Sequence, residues 1–125
     1  MVKKILCIDV DTPIVYEYVE GLRKLEPEIC TDFCTSIDEV SELFKNNYYG
    51  LIIIDLSLLT HSFLTFIEEV RRGNYYGDII FTGSYTDPSI VKKIESLKEI
   101  EVMLKPFSIE WFVSRVDKYF RENMD

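Results

Sequence analysis

Tyr48-Tyr49-Gly50-Leu51-Ile52-Ile53-Ile54-Asp55-Leu56-Ser57-Leu58-Leu59 is the stretch whose reading decides the fold. Leu51 to Ile54 is an unbroken apolar run, rich in β-branched residues and preceded by a glycine. A run that short and that apolar fits a strand buried on both faces, as at the centre of a parallel sheet. Asp55 then falls where the strand ends. In open α/β sheets, ligands and chemistry gather outside the carboxyl ends of the strands. A lone aspartate there would simply cap the next turn. The other strand ends give it company.

Working outward, Lys3 to Ile8 reads as a strand ending at Asp9, and Thr12-Pro13 supplies an N-cap and a first-turn proline. The following helix carries Ile14, Tyr18, Leu22 and Leu25 on one face and stops at Pro27. Ile29 to Cys34 is a shorter, edge-side strand. Ser36-Ile37-Asp38-Glu39 is a capping box opening a second helix, with Ile37, Val40 and Phe44 inward and Asn46-Asn47 at its end. After Asp55 comes an apolar, glycine-free loop, then a third helix from about Ser62 to Arg72 that closes at Gly73-Asn74. Asp78 to Thr82 is the fourth strand, and Asp87-Pro88 caps a fourth helix bearing Ile90, Val91, Ile94 and Leu97. Glu101 to Leu104 is the fifth strand, ending at Lys105-Pro106. Ser108 caps a last helix with Ile109, Phe112, Val113, Val116 and Phe120 inward.

Five strands alternating with five helices make an α/β, doubly wound parallel sheet. With right-handed crossovers its natural strand order is 2-1-3-4-5. The 125 residues form one domain, long enough to bury a real core. A net charge of −8 argues against direct binding to nucleic acid or an anionic membrane. No apolar run approaches the roughly 18 residues a membrane span needs, and Met1-Val2-Lys3-Lys4 leads into a strand rather than a signal peptide, so a cytoplasmic location is expected. Cys7, Cys30 and Cys34 lack metal-ligand spacing and read as buried small hydrophobes. His61 reads as an exposed loop residue and Trp111 as half-exposed on the last helix, while Tyr48, Tyr49, Tyr75 and Tyr76 are expected to lid one end of the sheet.

In the order 2-1-3-4-5, the carboxyl ends of four strands present Asp9 with Asp11, Asp55, Thr82 and Lys105 at one mouth. Clustered carboxylates repel one another and are tolerated when a divalent cation sits between them. Magnesium suits such a site because it takes few carboxylates and keeps positions for water and phosphate oxygens. A hydroxyl and an ammonium opposite are what a phosphoryl group on Asp55 would need. Together these residues describe an aspartate open to in-line phosphorylation.

The chain resembles the receiver domain of two-component response regulators over essentially its whole length, residues 1–125. The matching pieces are Lys3-Lys4-Ile5-Leu6-Cys7-Ile8-Asp9, Leu51-Ile52-Ile53-Ile54-Asp55-Leu56, Ile79-Ile80-Phe81-Thr82-Gly83 and Lys105-Pro106-Phe107. The resemblance implies a flavodoxin-like domain that accepts phosphate from the phosphohistidine of a sensor histidine kinase onto Asp55, using magnesium. Thr82 would be the switch hydroxyl and Lys105 the phosphate-binding lysine. Asp9, Asp11, Asp55 and the Ser57 backbone carbonyl would hold the metal. Such a domain is not an enzyme beyond its own phosphorylation and slow hydrolysis. It would meet an output protein, or a second copy, through helix four, strand five and helix five.

The chain departs from that pattern at named positions. The second of the two adjacent acids usual after strand one is Val10, so magnesium binding is expected to be weak. Leu59 and Phe63 stand where the loop after strand three usually has a proline and a glycine. Val102 replaces the aromatic switch residue on strand five. A degenerate receiver that binds partners without phosphate is therefore an alternative. Asp9-Val10-Asp11-Thr12 also looks like the first motif of haloacid-dehalogenase-type phosphatases, with Asp9 as nucleophile and Asp11 as general acid. Against that, the acids such a family needs beyond the lysine, and a cap domain, are missing.

Overall fold

A computed structural model describes residues 3–10, 12–59, 63–83 and 88–122 of the chain. Asp11, His61, Ser62 and Asp87 lie outside the described residues, as do the side chains of Thr12, Ile14, Phe63 and Ile90. Five strands, β1 (Lys4–Ile8), β2 (Cys30–Cys34), β3 (Leu51–Asp55), β4 (Asp78–Gly83) and β5 (Ile100–Leu104), pair all-parallel in the order β2-β1-β3-β4-β5. Between and after them run α1 (Thr12–Leu25), α2 (Val40–Asn46), α3 (Phe63–Arg72), α4 (Pro88–Glu95) and α5 (Ile109–Glu122). The doubly wound architecture expected from the alternation of elements is the one observed.

Side chains alternate across a strand, so each central strand feeds two cores. Leu6, Ile8, Ile52, Ile54, Ile79 and Phe81 face one layer with Val40, Phe66, Val70 and Ile94 from α2, α3 and α4. Ile5, Cys7, Leu51, Ile53 and Ile80 face the other, with Val15, Val19 and Leu22 of α1 and Phe112, Val116 and Phe120 of α5. All five residues of β3 are buried, which is why the four before Asp55 form a continuous apolar run rather than an alternating one.

Several local details differ from the sequence expectation. The segment opened by Ser36 begins as a 3-10 turn, Ile37–Glu39, before α2 starts at Val40. The Ser36 hydroxyl accepts from the Asp38 N–H, two residues on, a short-range closure that fits the tighter turn. Asn74 closes α3 with a left-handed φ of 68°, a conformation asparagine tolerates. Ile109 is 37% exposed rather than inward, because it starts α5 beside Gly21 of α1 instead of over the sheet. Cys7 and Cys34 are buried, but Cys30, the first residue of edge strand β2, is exposed. Of the four loop tyrosines only Tyr49 and Tyr75 lid the sheet; Tyr48 and Tyr76 are exposed. The Tyr49 hydroxyl donates to Asp32 and that of Tyr75 to the Asp78 carbonyl, so each buried ring has its polar tip satisfied.

Asp78 opens β4 at this same end, away from the strand termini that carry Asp9 and Asp55. Burial, then the nearby carboxylates of Glu99 and Glu101, push its carboxyl up to about 6, with Arg71 opposing. Between the ordinary value of 3.8 and about 6 the folded chain therefore binds more protons at Asp78 than the unfolded one. Its contribution to stability is full below that window and is lost as pH rises through it. Asp78→Asn is expected to raise stability at pH 7 by about 1 kcal/mol, after discount for its partial exposure. Urea unfolding across pH should show the natural chain losing stability between pH 3.8 and about 6 and the variant holding it.

Candidate functional site

Each residue of the site is delivered by the end of a strand. Asp9 follows β1, where its backbone N–H still donates to the Cys34 carbonyl of β2 at 3.1 Å. Asp55 is the last residue of β3, in register with Thr82 of β4. Lys105 follows β5, and its N–H donates to the Gly83 carbonyl at 2.6 Å. The strands are so apolar that these are the first polar side chains the chain reaches as it leaves the sheet. Asp9 and Asp55 remain 8% and 7% exposed.

The Lys105 ammonium crosses over the end of β4 and donates to both carboxylates. Its Nζ lies 2.7 Å from Asp55 Oδ2 and 2.9 Å from Asp9 Oδ2. The other oxygen of Asp55, Oδ1, accepts the Ser57 N–H at 2.8 Å and caps the 3-10 turn Leu56–Leu58. Capping and site chemistry are thus not alternatives for Asp55; one oxygen does each. Thr82 is buried and lines, with Asp9, Lys105, Tyr18, Phe107 and Phe112, a cavity of about 20 Å³ beneath the lysine. That is room for one water molecule.

The electrostatics follow from this geometry. Burial by itself would raise the Asp55 carboxyl, but the Lys105 hydrogen bond and the Ser57 N–H outweigh it and hold the group below its ordinary value. Burial would likewise lower Lys105, and the bonds to Asp55 and Asp9 outweigh it and raise the ammonium above its ordinary value. Asp55 is therefore an ionised carboxylate and Lys105 a cation across the physiological range. The pair contributes its stability above the ordinary carboxylate range and below the ordinary lysine range.

The sequence-expected residues fall into three groups. Asp9, Asp55, Thr82 and Lys105 are brought together. Ser57 lies two residues beyond Asp55 and engages it through its N–H. Asp11 lies outside the described residues. Val10 is 60% exposed and offers no oxygen. Among the described residues, no group of three or more His, Cys, Asp or Glu side chains is placed to hold a metal ion. What the site does offer is two buried carboxylates converging on one cation position, where the ammonium now sits. Two hard oxygen ligands supplemented by water and phosphate oxygens fit magnesium, which needs few protein ligands.

Two contacts were not anticipated from sequence. One is the direct pairing of Lys105 with both acids, which depends on a side chain reaching across a neighbouring strand. The other is the Tyr18 hydroxyl, which donates to the Phe107 carbonyl at 3.2 Å. Its position on the inward face of α1 was legible, but its polar partner lies 89 residues away.

Known structures share this arrangement of elements. A crystal structure of a two-component response regulator from Clostridium difficile matches with a TM-score of 0.81 and 20% sequence identity, over 98% of this chain and 99% of that one. The Francisella response regulator 1452 receiver domain matches with a TM-score of 0.76 and 23% identity, over 98% and 99%. The chemotaxis response regulator CheY4 of Vibrio cholerae matches with a TM-score of 0.75 and 16% identity, over 95% and 99%. No protein-family model matches the sequence, and no curated protein matches it. The fold of this chain, from end to end of its described residues, is that of the response regulator receiver domains.

Proposed function

We propose that the chain is a phosphoacceptor receiver domain, taking a phosphoryl group onto Asp55 from the phosphohistidine of a sensor histidine kinase. The observation that carries this reading is the Lys105 ammonium bonded at once to Asp55 and Asp9 at the ends of β5, β3 and β1. A carboxylate kept ionised and partly shielded is a competent nucleophile, and a cation beside it stabilises the charge that develops on a phosphoryl group.

In the step itself an Asp55 oxygen attacks phosphorus in line with the P–N bond. The O–P bond forms as the P–N bond breaks, and the leaving nitrogen keeps the electron pair. It departs as neutral imidazole, the second ring nitrogen carrying the proton. Lys105 then trades a carboxylate oxygen for a phosphoryl oxygen, and the Thr82 hydroxyl, at the end of the adjacent strand, donates to another. Magnesium held by Asp9, Asp55, the Ser57 carbonyl and Asp11 would neutralise phosphoryl charge and keep attacking and leaving groups aligned. The chemistry is stoichiometric, so the chain is a switch rather than an enzyme. Its setting is the cytoplasm, where histidine kinases present their phosphohistidine. No helix among the described residues is long and apolar enough to cross a membrane. Output, or pairing with a second copy, would use α4, β5 and α5, where Leu104 and Trp111 are exposed.

A phosphate-independent binding module is the second reading, and two positions favour it. Val10 supplies no metal ligand, and Val102 puts a small aliphatic side chain, packed against the core, where a mobile ring would report the phosphate.

Incubation with acetyl phosphate and magnesium separates the two, because a phosphoacceptor gains one phosphoryl mass. Asp55→Asn is expected to abolish that gain while leaving the far-UV spectrum unchanged. Phosphate that persists and maps to Asp9 would instead support the phosphatase-like chemistry. Val10→Asp is expected to tighten magnesium by about ten- to a hundredfold, the size of the loss typical when a partner supporting a metal ligand is removed, and to speed phosphorylation. Asp11→Ala should weaken both, as isothermal titration with magnesium and the rate of mass gain would show. Tight magnesium binding in the natural chain, unaffected by Asp11→Ala, would mean that Asp9 and Asp55 suffice.

A further inference from the structure

Lys105 acts from the connection between β5 and α5, and that connection is held from both sides. On the β5 side the Lys105 N–H is bonded to Gly83. On the α5 side the Phe107 carbonyl accepts the hydroxyl of Tyr18, about two turns back from the C-terminal end of α1. The same tyrosine grips the segment through its ring. Its centroid lies 5.0 Å from that of Phe107 and 5.2 Å from that of Phe112, and the Phe107 and Phe112 rings are within 10° of parallel. Trp111 packs edge-on against Phe107 from outside, at 5.8 Å. Tyr18 thus meets the segment two residues beyond Lys105, and it also lines the small cavity beneath the lysine with Asp9 and Thr82.

We propose that Tyr18 is a positioning residue for Lys105, a latch from α1 that fixes the β5–α5 connection so that the ammonium reaches Asp55 and Asp9 together. Its part in phosphoryl capture rests on the phosphoacceptor reading above; its part in placing Lys105 does not. The reasoning is geometric. The two bonds at 2.7 and 2.9 Å hold the ammonium between two carboxylates, and a flexible lysine stem keeps that geometry at least entropic cost when its backbone is held in place. A displacement of about 1 Å in such a group is enough to cost orders of magnitude in a transfer step. Tyr18 supplies both a directional bond and a stacked ring, and a phenylalanine there would keep only the ring.

The test uses the whole chain with its lysines labelled with ¹⁵N at Nζ. In the natural chain the Lys105 ammonium is expected to give a resonance protected from solvent exchange, identified by its loss in Lys105→Met. Tyr18→Phe should speed exchange at Lys105 by about fivefold, the change matching one hydrogen bond of ordinary net strength. Lys4, whose ammonium bonds the Asn47 side-chain carbonyl at 2.5 Å at the opposite end of β1, serves as the internal control and should not move. Tyr18→Leu, which removes ring and hydroxyl, should exceed Tyr18→Phe at Lys105. In the same samples, uptake of phosphate from acetyl phosphate should slow by about fivefold in Tyr18→Phe. An unchanged Lys105 resonance in Tyr18→Phe overturns the latch, and so does an equal change at Lys4, which would signal general loosening. Exchange that speeds at Lys105 with no change in phosphorylation rate overturns the role in transfer. If the natural chain takes up no phosphate, the phosphoacceptor reading falls, and the lysine resonances still decide whether Tyr18 places Lys105.

Discussion

Three strand ends are tied together by one ammonium. Asp9 and Asp55 emerge from two deeply buried strands with little access to water, and two carboxylates that close would repel each other without a cation between them. Lys105 supplies that cation from β5, reaching past β4 to do so. The cost of burying three charges is met because every charge has a partner of opposite sign. The remaining oxygen of Asp55 has a backbone N–H as well. All the strands are parallel, so their carboxyl ends open at one edge, and the order β1-β3-β4-β5 sets the span that the lysine bridges.

A site held by an internal cation is also a site that can exchange it. Magnesium would have to share or displace the ammonium, and Val10 leaves it with fewer protein oxygens than a pair of adjacent acids would give. On the phosphoacceptor reading proposed above, a phosphoryl group would change that balance, because it would bring oxygens for both the metal and Lys105. The aromatic stack of Tyr18, Phe107 and Phe112 stands directly behind the lysine, so the stiffness of the loop is set by α1 and α5 rather than by the site itself. Val102, packed into the opposite core, has no comparable reach toward the surface.

Much of this was legible in the sequence because the information is local. An apolar β-branched run ending in a single acid marks β3 and Asp55, and Lys105-Pro106 marks the exit of β5. What was not legible depends on distant placement. The sharing of one ammonium by Asp9 and Asp55 needs the register of four strands and the length of a lysine side chain. Ile109 looked inward by its helical spacing, yet it sits where α5 begins to overhang Gly21, before the helix reaches the sheet. Cys30 looked buried by type, but an edge strand has one neighbour only. Ser36 to Glu39 has the composition of a capping box and folds as a 3-10 turn, because the Ser36 hydroxyl finds the Asp38 N–H first.

The central claim is that Lys105 neutralises two buried carboxylates, and the stability of Lys105→Met as a function of pH tests it most directly. Methionine keeps much of the chain length and removes the charge, leaving Asp9 and Asp55 facing each other. Removing one partner of a fully buried pair costs about 3–5 kcal/mol. Because Lys105 retains 22% side-chain exposure, a loss of roughly 2 kcal/mol is the discounted expectation near pH 7. That loss should shrink as pH falls through the carboxylate range, where the charge on Asp55 that Lys105 compensates is removed. A Lys105→Met chain as stable as the natural one at pH 7, or one whose deficit is the same at low pH, would contradict the account.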